Sequence, residues 1–405
     1  MFGSAAAVLW AGSVAWALTR AVGQYRAYRN IEPQPLPRQP PRVAVVVPAR
    51  NERDTIRDCV AGLTSQHYPA DRLAIYIVDD NSSDGTAAIV RDLARRLPIQ
   101  PIAAGPRPRG WAGKPWACRV GAAAAAGGAE WLCFIDADVT PRPALIASAV
   151  ATAERCGLDM LSLAPAQRIS GVTQAMVMPV AFLLLALSQD LRRVNDPASP
   201  QAAANGQFLL IRRVVYDRLG GHAAVAGAIA DDKALACRVK RAGFRLALLG
   251  GERLCECRMY RSFAGWWHGL ARNVSHVLDH SGKALAAAGI ATAAAFAAPL
   301  VPWWLSRLAA AGSVWDQAAF GLALAASAAL LVTHIRAARY FAVSPIYGAC
   351  FPIGYLLGAA ILVHSVYRRR SGRLDWKGRT YVGAMVAGPG AAVYSGVDGP
   401  HRTGD

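Results

Sequence analysis

Trp131-Leu132-Cys133-Phe134-Ile135-Asp136-Ala137-Asp138 is a run of five apolar residues that ends in two carboxylates. An unbroken apolar run of this length, without polar alternation, describes a strand covered on both faces, as in a sheet with helices above and below it. At spacing i, i+2 beyond a strand, Asp136 and Asp138 can point the same way. Two hard oxygen ligands aimed at one point suit Mg²⁺ or Mn²⁺ carrying phosphate oxygens. Taken alone, such a pair more often makes a turn or a helix cap before Pro141. The apolar strand ahead of it, and the polar loops elsewhere, favour the ligand reading.

Working outward, Val43–Val47 is a second apolar strand and runs into Pro48-Ala49-Arg50-Asn51-Glu52, with a helix predicted from Asp54 to Ser65. Leu73–Val78 is a third and runs into Asp79-Asp80-Asn81-Ser82-Ser83-Asp84-Gly85-Thr86, with a helix from Thr86 to about Leu97. This alternation over residues 42–283 predicts an α/β sheet whose polar loops gather at the carboxyl ends of the strands, the edge where such sheets bind ligands. Ser83 or Asp84 caps the helix at Thr86, so one of Asp79 and Asp80 is left to hydrogen-bond a base or ribose. Lys114 lies in a glycine-flanked segment, Gly110-Trp111-Ala112-Gly113-Lys114, read as a loop where backbone can approach a phosphate or base. Asp231 and Asp232 open a helix that ends near Gly243. They serve as its cap, or one of them takes a proton from an acceptor hydroxyl, with His222 the competing base.

Composition sets the surroundings of this domain. Charged residues are only 17% of the 405 and hydrophobic ones 54%, which excludes a disordered chain and argues against a purely soluble one. The net charge of +18 comes almost wholly from arginine, with lysine only at 114, 233, 240, 283 and 377. There is no basic arm and no nucleic-acid-binding signature, and the arginines cluster beside apolar segments. That pattern fits lipid headgroups and the positive-inside rule better than a nucleic-acid partner. The eight cysteines form no CxxC pair and read as reduced thiols.

Residues 2–19 carry no charge and are followed by Arg20, Arg26 and Arg29, which predicts a span with its start outside and the rest in the cytoplasm. Further spans are predicted at about 285–306, 317–335 and 346–366, with Trp303 and Trp304 as interfacial anchors. The expected organisation is a transmembrane helix (1–22), a proline-rich linker (23–41), the α/β domain (42–283), C-terminal transmembrane helices (284–367) and a basic, then loose tail (368–405). Four full crossings would put the basic stretch Arg368–Arg379 outside, against the positive-inside rule, unless one segment is re-entrant. The apolar stretches Val172–Leu187 and Phe263–Leu278 are either interfacial helices or ordinary core.

Pro48-Ala49-Arg50-Asn51-Glu52, Asp79-Asp80 with Gly85-Thr86, Asp136-Ala137-Asp138 and Asp231-Asp232, in this order and spacing, resemble the family 2 inverting glycosyltransferases with a GT-A fold. The segment at Lys114, Val194-Asn195-Asp196-Pro197, Ala204-Asn205-Gly206 and Trp376-Lys377-Gly378-Arg379 are similar to the membrane-anchored members that glycosylate hopanoids, carotenoids or ceramides. The resemblance implies a GT-A, Rossmann-like catalytic domain between N- and C-terminal transmembrane helices, on the cytoplasmic face of the cell (inner) membrane. It implies Pro48, Arg50, Glu52, Asp80, Lys114 and Asp136 on the nucleotide sugar, and Asp138 with Asp136 on Mg²⁺ or Mn²⁺. Asp232 would be the base with Asp231 beside it, and Arg258 and Arg261 would contact the diphosphate or the acceptor. Where related enzymes carry (Q/R)xxRW, this chain reads Arg258-Met259-Tyr260-Arg261-Ser262. The missing tryptophan speaks against a processive polysaccharide synthase. The expected function is metal-dependent transfer of a sugar, UDP-linked, to a lipid hydroxyl. The alternatives are a polysaccharide or polyprenyl-phosphate glycosyltransferase and a non-catalytic nucleotide-binding scaffold.

Overall fold

The computed structural model describes residues 2–125, 127–188, 190–260, 262–277, 281–310, 312–370, 373–377, 379–382 and 395–396. Their contacts divide into two units. One comprises Tyr28–Arg168, Leu191–Met259 and the stretch from Arg369; the other comprises the chain up to Ala27, Ile169–Asp190 and Tyr260–Arg368.

The first unit is built on strands β1 (Val43–Ala49), β2 (Leu73–Asp79), β3 (Gln100–Ala103), β4 (Trp131–Ile135), β5 (Val139–Pro141), β6 (Met160–Ala164), β7 (Ala166–Gln167), β8 (Phe208–Arg212), β9 (Leu246–Gly250) and β10 (Cys255–Cys257). Seven of these form one sheet in the order β3-β2-β1-β4-β8-β6-β9. It is parallel except at β8, which runs antiparallel to both β4 and β6. Alternate residues of β1 and β4 feed two cores. Val43, Val45, Val47, Trp131, Cys133 and Ile135 face one side, and Ala44, Val46, Leu132 and Phe134 the other. That two-sided burial is why both strands read as unbroken apolar runs.

Helix Ile56–Thr64 lays Ile56, Cys59, Val60 and Leu63 into the first core at i, i+3, i+4, i+7 spacing. Helix Gly113–Ala124 covers the other face. A Cβ at Gly121 would stand 2.3 Å from Val46 Cγ1 and 2.9 Å from Val78 Cγ2, so glycine is what lets this helix close on β1 and β2. A small sheet, β5-β10-β7, sits just past Asp138. Asn51 and Asn81, each at φ +52, turn the chain at the ends of β1 and β2, a conformation that asparagine tolerates better than most residues. They interlock through Asn51 N–H to Ser82 Oγ (3.0 Å) and Ser83 N–H to Asn51 Oδ1 (2.8 Å).

The second unit holds four helices long and apolar enough to cross a membrane: Phe2–Ala27, Ser281–Ala309, Val314–Tyr340 and Phe351–Arg370. Small residues let them approach closely, with Ala288, Ala291, Ala295 and Ala298 buried on one stripe. Trp10 Nε1–H donates to Ser327 Oγ (3.0 Å), whose hydroxyl donates to the Ala298 carbonyl (2.8 Å). The helices outrun the apolar stretches because backbone hydrogen bonding continues through the flanking charged residues. The last predicted span is divided at Cys350, with Pro345–Ala349 a separate short helix. Helices Val172–Ser188 and Phe263–Val277 also belong to this unit. Ser170, Val172, Gln174, Ser262, Phe263 and Trp266 line a cavity of about 330 Å³ there.

Candidate active site

The carboxyl ends of β1, β2 and β4, the entry to β8 and the start of helix Asp231–Arg241 supply the polar groups of one site. Lys114 is its hub. It lies in the first turn of helix Gly113–Ala124 rather than in a loop, because Pro115, whose missing N–H costs nothing in a first turn, admits the helix from Gly113. Its Nζ stands 2.6 Å from Asp136 Oδ1 and donates to the Gly206 carbonyl at 3.1 Å. The Gly206 N–H in turn donates to Asp232 Oδ2 at 2.7 Å, and the Lys233 N–H to Asp232 Oδ1 at 2.7 Å. One residue, Gly206, therefore ties Lys114 to Asp232 through its two flanking peptides. A Cβ at Gly206 would lie 3.0 Å from that Asp232 oxygen and 3.1 Å from the Lys114 nitrogen. Burial works against the Lys114 charge, but Asp136, Asp231 and Asp232 outweigh it and hold the lysine protonated well above its usual range.

Asp231 and Asp232 are neighbours with opposite electrostatics. Asp231 is buried, and the cost of that burial is overcome by Lys114 and His222, which keep its carboxyl below the usual range. Asp232 is half-buried, and desolvation together with the Asp231 charge pushes it up to about 6. His222 is no free base. It is 1% exposed, edge-on to Phe134, with Nδ1 2.9 Å from the Tyr216 hydroxyl. That hydroxyl accepts the His222 backbone N–H at 3.1 Å, which leaves its own proton for Nδ1. Nε2 then carries the ring proton toward Asp231 Oδ2, 3.6 Å away. Cys118, His222 and Asp231 bring one donor atom each within 4.8 Å of one another. Burial and the Asp231 charge raise the Cys118 thiol well above its usual range.

Asp138 carries the strain of the other pair. Burial, Asp136 and Glu52 push it up to about 7, against the relief of Lys377 and the Cys257 thiol. Its Oδ1 is buried without a hydrogen-bond partner. A buried hard oxygen left without a partner, near the charges of Asp136 and Glu52, is costly, and a divalent cation is one group that would relieve it.

At the loops that follow β1 and β2, Arg50 Nη1–H donates to the carbonyls of Asp80 (2.7 Å) and Asn81 (2.9 Å), while Pro48 lies in β1 opposite Val78. Asp80 is buried, its Oδ2 bonded to the Arg379 guanidinium. Glu52 is bonded to Lys377. The N-cap of the helix at Thr86 is Gly85 rather than Ser83 or Asp84; Asp84, one residue earlier, accepts the Thr86 N–H at 2.9 Å and its hydroxyl at 2.6 Å. Arg258 joins through its backbone, its N–H donating to the Asp138 carbonyl at 3.2 Å, and its side chain is exposed. Arg261 lies outside the described residues.

Sequence reasoning assigned no role to Gly206, Tyr216, Lys377 or Arg379. Gly206 and the tail residues do lie in motifs that the sequence displays, Ala204-Asn205-Gly206 and Trp376-Lys377-Gly378-Arg379, whereas Tyr216 has no local signal.

The sequence matches the profile of the family described as glycosyltransferase like family 2 over residues 40–274. The probable glycosyltransferase YdaM of Bacillus subtilis is 28% identical over 215 residues, 51% of this chain and 48% of that protein. The 4,4'-diaponeurosporenoate glycosyltransferase of Staphylococcus haemolyticus is 22% identical over 245 residues, 59% of this chain and 63% of its own. The chain thus spans from about half to just under two thirds of the length of these curated relatives. Among solved structures, the mannosyltransferase PcManGT of Pyrobaculum calidifontis, in complex with GDP-Man and Mn²⁺, is similar at a TM-score of 0.54 and 23% identity, over 91% of this chain and 99% of that one. The shared fold is GT-A.

Proposed function

The chain belongs to the glycosyltransferase like family 2, and from that footing we propose that it is an inverting enzyme that moves a sugar from a nucleotide sugar to a membrane-lipid hydroxyl. The observation that carries the reading is the Lys114–Gly206 bridge, which sets Asp136 and Asp232 on either side of one half-buried ammonium. Asp136 is the donor-side carboxylate of this arrangement. Asp232, half-buried and raised to about 6, is ionised at neutral pH yet close enough to it to accept a proton well. It takes the acceptor hydroxyl's proton while that oxygen attacks the anomeric carbon from the face opposite the diphosphate. The C–O bond to the diphosphate breaks, its electron pair leaves with the phosphate, and configuration inverts. Asp231 stays charged and, through His222 and Tyr216, rigid. Asp138 and Asp136, with Glu52 beside them, would hold Mg²⁺ or Mn²⁺, which when bound neutralises the leaving diphosphate. Pro48, Arg50, Glu52 and Asp80 border the nucleotide, and Arg258 and Arg261 the diphosphate or the acceptor.

The lipid acceptor is supported by the four long apolar helices and by a relative named for a carotenoid substrate. We place the protein in the cell (inner) membrane with its catalytic unit in the cytoplasm, since arginines follow the first span. The test is transfer by detergent-purified protein with UDP- and GDP-sugars, Mg²⁺ or Mn²⁺, and an extracted lipid fraction. A labelled glycolipid formed only with metal is the expected result. Transfer that proceeds in chelator, or to no lipid but to a growing sugar chain, overturns it.

A further inference from the structure

The C-terminal hairpin, strands Arg373–Trp376 and Arg379–Val382, returns to the loops at the ends of β1 and β2. Its Lys377, at φ +45, occupies the left-handed region that a lysine rarely adopts, and the turn that results presents two cations. Arg379 Nη1–H is bonded to Asp80 Oδ2 and Nη2–H reaches the Asp80 carbonyl at 3.4 Å, across 299 residues of chain. The two side chains are 9% and 3% exposed. Lys377 Nζ is bonded to Glu52, and its charge also relieves Asp138. The Lys377 carbonyl accepts Arg50 Nε–H at 3.0 Å and Asn51 Nδ2–H at 3.4 Å. Glu52 and Asp80, one from each loop, thus each have a cation supplied by the tail. Asp80 Oδ1, by contrast, is buried and has no hydrogen-bond partner.

We propose that Lys377 and Arg379 complete the donor pocket: Arg379 is a positioning residue that fixes Asp80 so that Oδ1 meets an N–H or O–H of the nucleoside, and Lys377 supplies an ammonium to the diphosphate. The proposal rests on the nucleotide-sugar reading given above. An arginine bonded along one edge of a carboxylate engages Oδ2 and leaves Oδ1 directed elsewhere, and a buried acceptor with no partner is costly until a donor arrives. Lys377 stands among Glu52 and Asp138, the carboxylates beside which a phosphate and its cation would sit. With the donor bound it trades a Glu52 oxygen for a phosphate oxygen. A tail held on Glu52 and Asp80 also shares their side of the membrane. The chain then crosses an even number of times between Met259 and Arg373, where three long apolar helices lie, so not all three of them cross.

The experiment is calorimetric titration of the full chain in detergent with uridine, UMP and UDP, and with the guanosine series, with Mg²⁺ and with chelator. Lys377→Ala is expected to weaken the nucleoside diphosphate about tenfold or more and to leave the nucleoside within twofold. Arg379→Ala is expected to weaken all three ligands of a series by a similar factor, with partial rescue in Arg379→Lys. Because Arg379→Ala uncovers a buried carboxylate and can compromise folding, the half-exposed Lys377 provides the variant that keeps the test open. Unchanged or tighter diphosphate binding by Lys377→Ala overturns the inference, the tighter case making the tail an occupant of the pocket. If the unaltered protein binds no nucleoside diphosphate in either series, the nucleotide-sugar reading itself falls. If it binds and the variants bind equally, only the role of the tail falls.

Discussion

The two aspartate pairs of the site, Asp136/Asp138 and Asp231/Asp232, are solved by one lysine in different ways. In each pair one carboxylate is near the Lys114 charge and the other is forced upward: Asp138 to about 7 and Asp232 to about 6. Their remedies differ. Asp138 has a buried oxygen with no partner and carboxylate neighbours, an environment that a cation relieves. Asp232 has both oxygens hydrogen-bonded by backbone N–H groups, and its main antagonist is Asp231 next door. One environment suits a cation and the other a proton. The distinction comes from neighbours rather than residue type, since all four residues are aspartates.

The sharpest way to break this contrast is Asp232→Asn, which should cost roughly 10²–10⁴ in transfer while leaving nucleotide binding intact. Transfer at the original rate would remove Asp232 from the base role. Next in size, Asp138→Ala should cut the metal-dependent part of donor binding by about tenfold or more, read as Kd with Mn²⁺ against chelator. Equal metal enhancement in the variant would move the cation elsewhere.

The pH profile separates the pairs further. The base works ionised, so turnover at saturating donor should fall as pH drops through about 6. Lys114 lowers the Asp232 pKa, so Lys114→Met should carry that acid limb to higher pH. A limb that stays put would show that the ammonium does not govern Asp232. His222→Asn should lower turnover by roughly tenfold at most, because it holds Asp231 rather than the proton in transit; a loss of the size set by Asp232→Asn would make histidine the base. Smallest in effect on chemistry, Tyr216→Phe should reduce unfolding free energy by about 1–3 kcal/mol, since it leaves His222 N–H and Nδ1 buried without their partner. A melting curve unchanged by that substitution would dissolve the Tyr216–His222–Asp231 chain.

Legibility in the sequence followed distance along the chain. The strands before Asp136 and after Arg42, the helix start near Thr86 and the acidic start of helix Asp231–Arg241 are all written in neighbouring residues, and all were readable. Lys114 stood out as a rare lysine, but its partner Asp136 and its bridge through Gly206 lie 22 and 92 positions on, where no period connects them. The burial of His222, which turned a candidate base into a support, depends on Phe134 and Tyr216 from two other elements. Lys377 and Arg379 were visible as letters of a motif without an address, because Asp80 and Glu52 are about 300 positions away.

By itself, then, the order of residues determined the α/β alternation, the apolar helices and the carboxylates waiting at strand and helix ends. These are properties of periodicity and local hydrogen bonding, which act over a few residues. Only the tertiary structure decided which aspartate of each pair is pushed up, which histidine nitrogen carries the proton and which cations of the tail reach the loops after β1 and β2. Charge and desolvation act through space over a few ångströms, between groups that the chain separates by tens to hundreds of residues.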